Sequence, residues 1–166
     1  LFWDEPYKIE RVTFVPVGRG LYAEIDAEDF EKVSKFKWGH WRDGRAKYAG
    51  SGKMENGKWV TISMHRLIMG FPKKKVIDHR NNIGLDNRKS NLRVASYSQN
   101  CQNRRTQHLN STGYKGVWRN GAKWSAELRS NKKRLFFGMF DTKEEAAMAY
   151  NEAAIEHFGE FACLNE

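Results

Sequence analysis

Cysteine is nearly absent: Cys101 and Cys163 are the two thiols among 166 residues. That excludes a disulfide framework and any zinc site made of four cysteines, and it suits a reducing compartment. Long apolar runs are missing too. No stretch nears the ~20 apolar residues of a membrane span, so no membrane association by a spanning helix is expected. The opening residues, LFWDEPYKIE, lack a basic-then-apolar order, so no secretory signal is expected and the cytoplasm is the expected location. Acidic charge is scarce where it would matter most, in the middle of the chain. What is plentiful is apolar and aromatic substance, 40% and 13% of residues, enough to bury a core and too much for a disordered tail.

The net charge of +9 is unevenly spread. Residues 1–31 hold three basic and eight acidic side chains, residues 32–110 hold eighteen and four, and residues 111–166 hold eight of each. The basic excess, from Lys32 to Arg134, is interleaved with Trp and Tyr. A polyanion such as nucleic acid is the partner that this arrangement favours over a merely solvated surface.

Turn signals organise the chain. TFVPVGRGLYAEID reads as two short strands about a Gly18–Gly20 turn, and Asp26 opens an expected helix, DAEDFEKVSKF. The runs KWGHW, AKYAG and KWVTIS, separated by Asp43-Gly44 and Asn56-Gly57, predict an antiparallel meander. MHRLIMG predicts a short helix stopped by Gly70 and Pro72. Beyond Lys73 the chain becomes rich in Asn, Asp and Arg. Strands are expected at 76–79 and 92–95 around a polar loop, with a helix from Tyr97 behind Ser96 and Gln99 in capping-box spacing. Three more strands are expected at 114–119, 123–129 and 134–140. A helix capped by Asp141 and Glu144 then runs to Gly159. In the middle strand Lys123, Ser125, Glu127 and Arg129 alternate with Trp124, Ala126 and Leu128, one polar face and one apolar.

One constellation could do chemistry: Asp78-His79, then Asn91, then Asn100. Phosphodiester hydrolysis needs a group to take a proton from water and a cation to neutralise charge on the phosphate and the departing oxygen. A histidine on a strand suits the first role. A carboxylate and an amide oxygen suit a hard ion such as Mg²⁺. Strand alternation sends Asp78 and His79 to opposite sides, so a local twist or bulge is expected to bring both to one cleft. Against this stands the commoner fate of Asn-rich loops, which cap themselves through side-chain to backbone bonds.

The stretch HRLIMGFPKKKVIDHRNNIGLDNRKSNLRVASYSQN resembles the HNH endonucleases, especially the homing-endonuclease type common in phages and mobile introns. The resemblance implies a ββα-metal fold over residues 64–105. It makes His79 the general base and Asp78 a metal ligand. It makes Asn91 the residue that holds the loop and orients the histidine, and Asn100 the second ligand to one Mg²⁺ or Mn²⁺. Arg66, next to His65, is a weaker candidate for a phosphate contact. If the chain is phage-encoded, a host bacterial cytoplasm follows.

The segments YKGV, KWSAELR and FFGMFDTKEEAAMAYNEAA, with a closing Leu-Asn, are similar to the plant ethylene-response-factor (APETALA-type) DNA-binding domain. This implies a three-stranded sheet laid in the major groove, with contacts from Lys115, Arg119, Lys123, Glu127, Arg129 and Arg134. Trp118 departs from the pattern by standing where Arg is expected.

The expectation is an α+β chain in four parts: a β-rich region (1–63), an HNH nuclease motif (64–105), a linker (106–110) and an ethylene-response-factor-like domain (111–166). The expected function is metal-dependent cleavage of double-stranded DNA, by a monomer that nicks or a homodimer that cuts both strands. The rival is a DNA-binding regulator whose nuclease fold is an inert scaffold.

Overall fold

The chain folds as a mixed α+β protein with several small antiparallel sheets. The computed structural model describes residues 11–44, 46–105, 110–130 and 133–166. The chain divides into two units, Leu1–Ser96 and Tyr97–Glu166. The described part of the linker is Asn110 alone, since 106–109 lie outside the described residues, as do 131–132 of the last expected turn.

In the first unit, β1 (Val12–Pro16) and β2 (Tyr22–Asp26) form the expected hairpin. The helix expected from Asp26 is much shorter: a 3₁₀ turn at Ala27–Asp29 runs into α1 (Phe30–Val33). Two contacts explain the difference. The Asp26 carboxylate accepts the backbone N–H of Lys89 at 2.8 Å rather than capping the helix. Trp38 Nε1 donates to the Val33 carbonyl at 2.9 Å, taking the acceptor on which another turn would build. The meander is as expected, β3 (Gly39–Asp43), β4 (Ala46–Glu55) and β5 (Lys58–Ser63) in that spatial order. Trp38 packs on the core and Trp41 stacks on Tyr48, while Trp59 stays exposed.

The short helix α2 (Met64–Ile68) buries Met64, Leu67 and Ile68. It is followed by the two-stranded sheet of β6 (Val76–His79) and β7 (Leu92–Ala95). Val15, Ile25, Val33, Ala49, Met64, Ile77 and Leu92 meet in one core. The β-rich region and the stretch from Met64 are therefore built on a shared interior rather than as separate bodies.

In the second unit, α3 (Tyr97–Gln102) begins where expected. It groups with this unit, although the sequence had assigned it to the nuclease motif. A three-stranded antiparallel sheet follows, β8 (Val117–Asn120), β9 (Lys123–Ser130) and β10 (Lys133–Phe140), with β9 central. The first strand was expected from residue 114. Tyr114 and Lys115 are instead held by local bonds, Thr112 Oγ1 accepting the Tyr114 N–H and Asn165 Oδ1 the Lys115 N–H.

The long helix α4 (Lys143–Phe158) covers one face of this sheet. Ala147, Tyr150, Ala154 and Phe158 are buried against Val117, Ala126 and Leu128. Gly116 makes the close approach possible: a Cβ there would come within 2.1 Å of the Tyr150 ring. The cap lies one residue later than expected. Thr142 and Glu145, themselves in capping-box spacing, form the box, and Asp141 makes an exposed ion pair with Lys123 at 3.1 Å. No helix of the described residues is long and apolar enough to cross a membrane.

Candidate functional site

Strand β6 pairs with β7 in regular register, Asp78 opposite Arg93 and His79 opposite Leu92. The expected twist or bulge is not there, so alternation keeps the two side chains on opposite faces. Asp78 turns to its cross-strand neighbour: Arg93 Nε and Nη2 both donate to its Oδ2 at 2.7 Å. This is a buried ion pair, with Asp78 4% and Arg93 6% exposed.

His79, 6% exposed, turns the other way into an aromatic nest. Its ring centroid lies 5.2 Å from that of His65 and 5.6 Å from that of Tyr48, and His65 and Tyr48 are 5.9 Å apart. Gly84 brings the loop after β6 against Tyr48, since a Cβ at this position would meet the tyrosine ring at 2.6 Å. His79 Nε2 lies 3.3 Å from Oδ1 of the fully buried Asn87. The Asn87 amide is oriented by its other end, Nδ2 donating to the Leu85 carbonyl at 3.2 Å. An oxygen facing Nε2 requires a proton on Nε2, which places the imidazole lone pair on Nδ1.

Electrostatics agree with that assignment. Burial lowers the His79 pKa below its ordinary value and outweighs the Asn87 bond and the Asp78 and Asp86 carboxylates, which pull upward. His79 is therefore neutral at pH 7. His65 is pushed down to about 3, first by burial and then by repulsion from His79 and Arg66. Its Nδ1 is buried without a hydrogen-bond partner among the described residues.

The loop between β6 and β7 is tightly built. Asn91 Oδ1 accepts the Asn81 N–H at 3.0 Å, and its Nδ2 donates to the Asp86 carbonyl at 2.8 Å. Arg88 reaches both oxygens of Asp86, at 2.8 and 2.7 Å, and holds that carboxyl below its usual range. The loop also docks on β2, with Glu24 N–H to Leu85 O at 2.8 Å and Asn87 N–H to Glu24 O at 2.7 Å.

Asn91 thus holds the loop, as the resemblance implies, while the amide against the imidazole is that of Asn87. Sequence reasoning passed over Asn87, His65 and Tyr48. Asn87 was hidden in a loop read as self-capping, His65 carried a signal only as the neighbour of Arg66, and Tyr48 comes from a distant strand. Arg66 itself is a brace. Its Nη1 donates to Lys75 O at 3.0 Å and its Nη2 to Pro72 O at 3.1 Å.

Asn100 lies half-buried on α3, in the second unit. Among the described residues no group of three or more His, Cys, Asp or Glu gathers to hold a metal.

The register of the second unit sorts its expected DNA contacts. Val117, Ala126 and Leu128 face α4, so Lys123, Glu127 and Arg129 lie on the open face. Arg134, opposite Arg129, joins them and bonds Glu127 at 3.3 Å. Two of the expected contacts have intramolecular partners. Arg119 pairs with Trp124, on the α4 side, and its guanidinium lies 5.9 Å from the Trp124 ring. Lys115 donates to the carbonyls of Gln102 and Arg104, at 2.5 and 2.8 Å, and closes the end of α3. Burial accordingly lowers its pKa.

Residues 64–102 match the family model described as HNH endonuclease. The chain is 30% identical to an uncharacterized HNH endonuclease, L560, of Acanthamoeba polyphaga mimivirus, over 98% of this chain and 86% of that protein. It is 48% identical over 58 residues to dehydration-responsive element-binding protein 2D of Arabidopsis thaliana, 33% of this chain and 28% of that protein. It is 32% identical over 99 residues to ethylene-responsive transcription factor ERF069 of the same plant, 56% of this chain and 60% of that protein. The chain therefore spans under two thirds of either plant protein.

Proposed function

Because this chain belongs to the HNH endonuclease family, we propose that it hydrolyses phosphodiester bonds of double-stranded DNA with His79 as general base. The observation that carries this reading is a neutral imidazole whose Nε2 is tied to Asn87. The tie fixes the tautomer, and the Tyr48 and His65 rings fix the plane, so Nδ1 is the atom that takes a proton from water. Asp78, with Asn100 on the family resemblance, offers the oxygen donors that suit Mg²⁺ or Mn²⁺. Such an ion would supply charge neutralisation at the phosphate and the departing oxygen. Arg93 holds the Asp78 carboxylate in one orientation.

The second unit is a DNA-binding module of the ethylene-response-factor kind that retains the enzyme on duplex DNA. Its likeness to the plant proteins and its cationic open face support this. Lys123, Glu127, Arg129 and Arg134 are the contacts that the open face offers.

The test is nicking of supercoiled plasmid in Mg²⁺ and in EDTA. The expected result is metal-dependent relaxation that His79→Ala abolishes while duplex binding persists. Because burial lowers the His79 pKa, the acid limb of the rate profile should lie below pH 6.5. Equal cleavage by His79→Ala refutes the base assignment. No metal-dependent nicking at all favours the regulator with an inert scaffold.

A further inference from the structure

The open face of the second unit's sheet is banded. At one end of β9 stand Lys123 and its cross-strand partner Asn120. At the other end Arg129 faces Arg134 directly. Between them the register sets Trp118, Ser125 and Met139 in a row across all three strands, with Phe136 beside Glu127 in the next row. Trp118 is 56% exposed, Phe136 58% and Met139 40%, whereas Ser125 beneath them is buried. Large apolar side chains left in water between cations ask for a partner whose own surface is banded in the same way.

Duplex DNA has such a surface. Its major groove is ~12 Å wide between two lines of phosphate, and the apolar feature on its floor is the thymine methyl group. Lys123 and Arg129 are six residues apart on one strand, about 20 Å at ~3.4 Å per residue, so one can reach each rim. The Arg129–Arg134 pairing adds to the case. Like charges directly opposite each other destabilise a sheet, and a phosphate between them would relieve the repulsion. Glu127 bonds Arg134 through Nε only at 3.3 Å.

We propose that Trp118, Met139 and Phe136 form a thymine-methyl reader, with Lys123 at one rim and Arg129 and Arg134 at the other holding phosphate. Trp118 stands where the resembling family carries Arg, a residue that reads guanine through hydrogen bonds. The proposal therefore moves base preference at that position from G·C toward A·T. This inference rests on the reading of the second unit as a duplex-DNA binder.

The experiment uses the full chain in EDTA, so that binding is read without cleavage. Duplexes bound from a randomised pool are sequenced, and each thymine of the selected site is then replaced by deoxyuridine, which removes only the methyl group. The expected result is a loss of about fourfold in affinity at one or two central positions, the weight of one buried methyl group. Trp118→Ala should bind thymine and uracil duplexes alike. Trp118→Arg should shift selection toward guanine there. Arg129→Gln should weaken both duplexes equally and flatten the salt dependence. Because Trp118 is more than half exposed, these variants should melt as the parent does.

Binding without methyl discrimination, or discrimination that survives Trp118→Ala, overturns the methyl reader and leaves duplex binding standing. Absence of duplex binding, or a preference for single strands or RNA, overturns both.

Discussion

The Asp78–Arg93 pair sets up a measurable conflict between stability and chemistry. Two guanidinium nitrogens lie 2.7 Å from one carboxylate oxygen, and both residues are under a tenth exposed. Removing one partner of such a pair strands the other charge away from water, at a cost of about 3–5 kcal/mol. Arg93→Met keeps most of the side-chain volume and removes the charge. With about 4–8 °C of melting temperature per kcal/mol for a unit the size of Leu1–Ser96, a drop of about 12–40 °C is expected.

Asp78→Asn combined with Arg93→Met leaves no buried charge, and should be more stable than Arg93→Met alone. Thermal unfolding of the four proteins, followed by tryptophan fluorescence, closes the double-mutant cycle. A cost for Arg93→Met below about 1 kcal/mol would show that the pair is solvated in solution. A double variant no more stable than Arg93→Met would show that packing, rather than the stranded carboxylate, carries the cost. Either result refutes the reasoning that Arg93 fixes the Asp78 carboxylate for its proposed work.

Two further predictions concern His65 and Asn165. His65 titrates at about 3 when folded against 6.5 ordinarily. The unfolded chain therefore binds a proton that the folded chain refuses between those values, and stability falls as pH drops from 6.5 toward 3. At ~1.4 kcal/mol per pH unit this amounts to about 2 kcal/mol by pH 5. Urea midpoints at pH 7.5 and 5 should show it, and His65→Phe should shrink the difference; an unchanged difference would rule out His65 as its source. In the second unit, Asn165 accepts the Lys115 N–H at 2.6 Å and donates to the Lys115 carbonyl at 3.0 Å. Asn165→Ala should destabilise by about 1–3 kcal/mol through the orphaned backbone groups. A calorimetric melt that does not move would mean water replaces the side chain.

Much of the architecture was legible along the chain because it is local. The Asn56-Gly57 and Asn120-Gly121 turns, the alternation of β9 and the small-residue face of α4 follow from neighbours a few positions apart. The expected helix at Asp26 lost its cap for the opposite reason, since the Asp26 carboxylate is taken by the backbone N–H of Lys89, far along the chain. Thr142 rather than Asp141 caps α4, through the equally local Thr142-x-x-Glu145 pattern. Arg119 shares the side of Trp124 because strand pairing, not composition, sets which residues share a side.

The residues by themselves determined the chemistry on offer: an imidazole beside a carboxylate, amides at set spacings, a basic strand alternating with apolar partners. Those are covalent facts of order and type. Tertiary structure decided which groups are joined, putting Asn87 rather than Asn91 against the imidazole, Arg93 on Asp78, and Arg66 and Lys115 on backbone carbonyls. Hydrogen bonds and burial act between atoms brought within a few ångströms, and for most of these pairs that nearness exists only after folding.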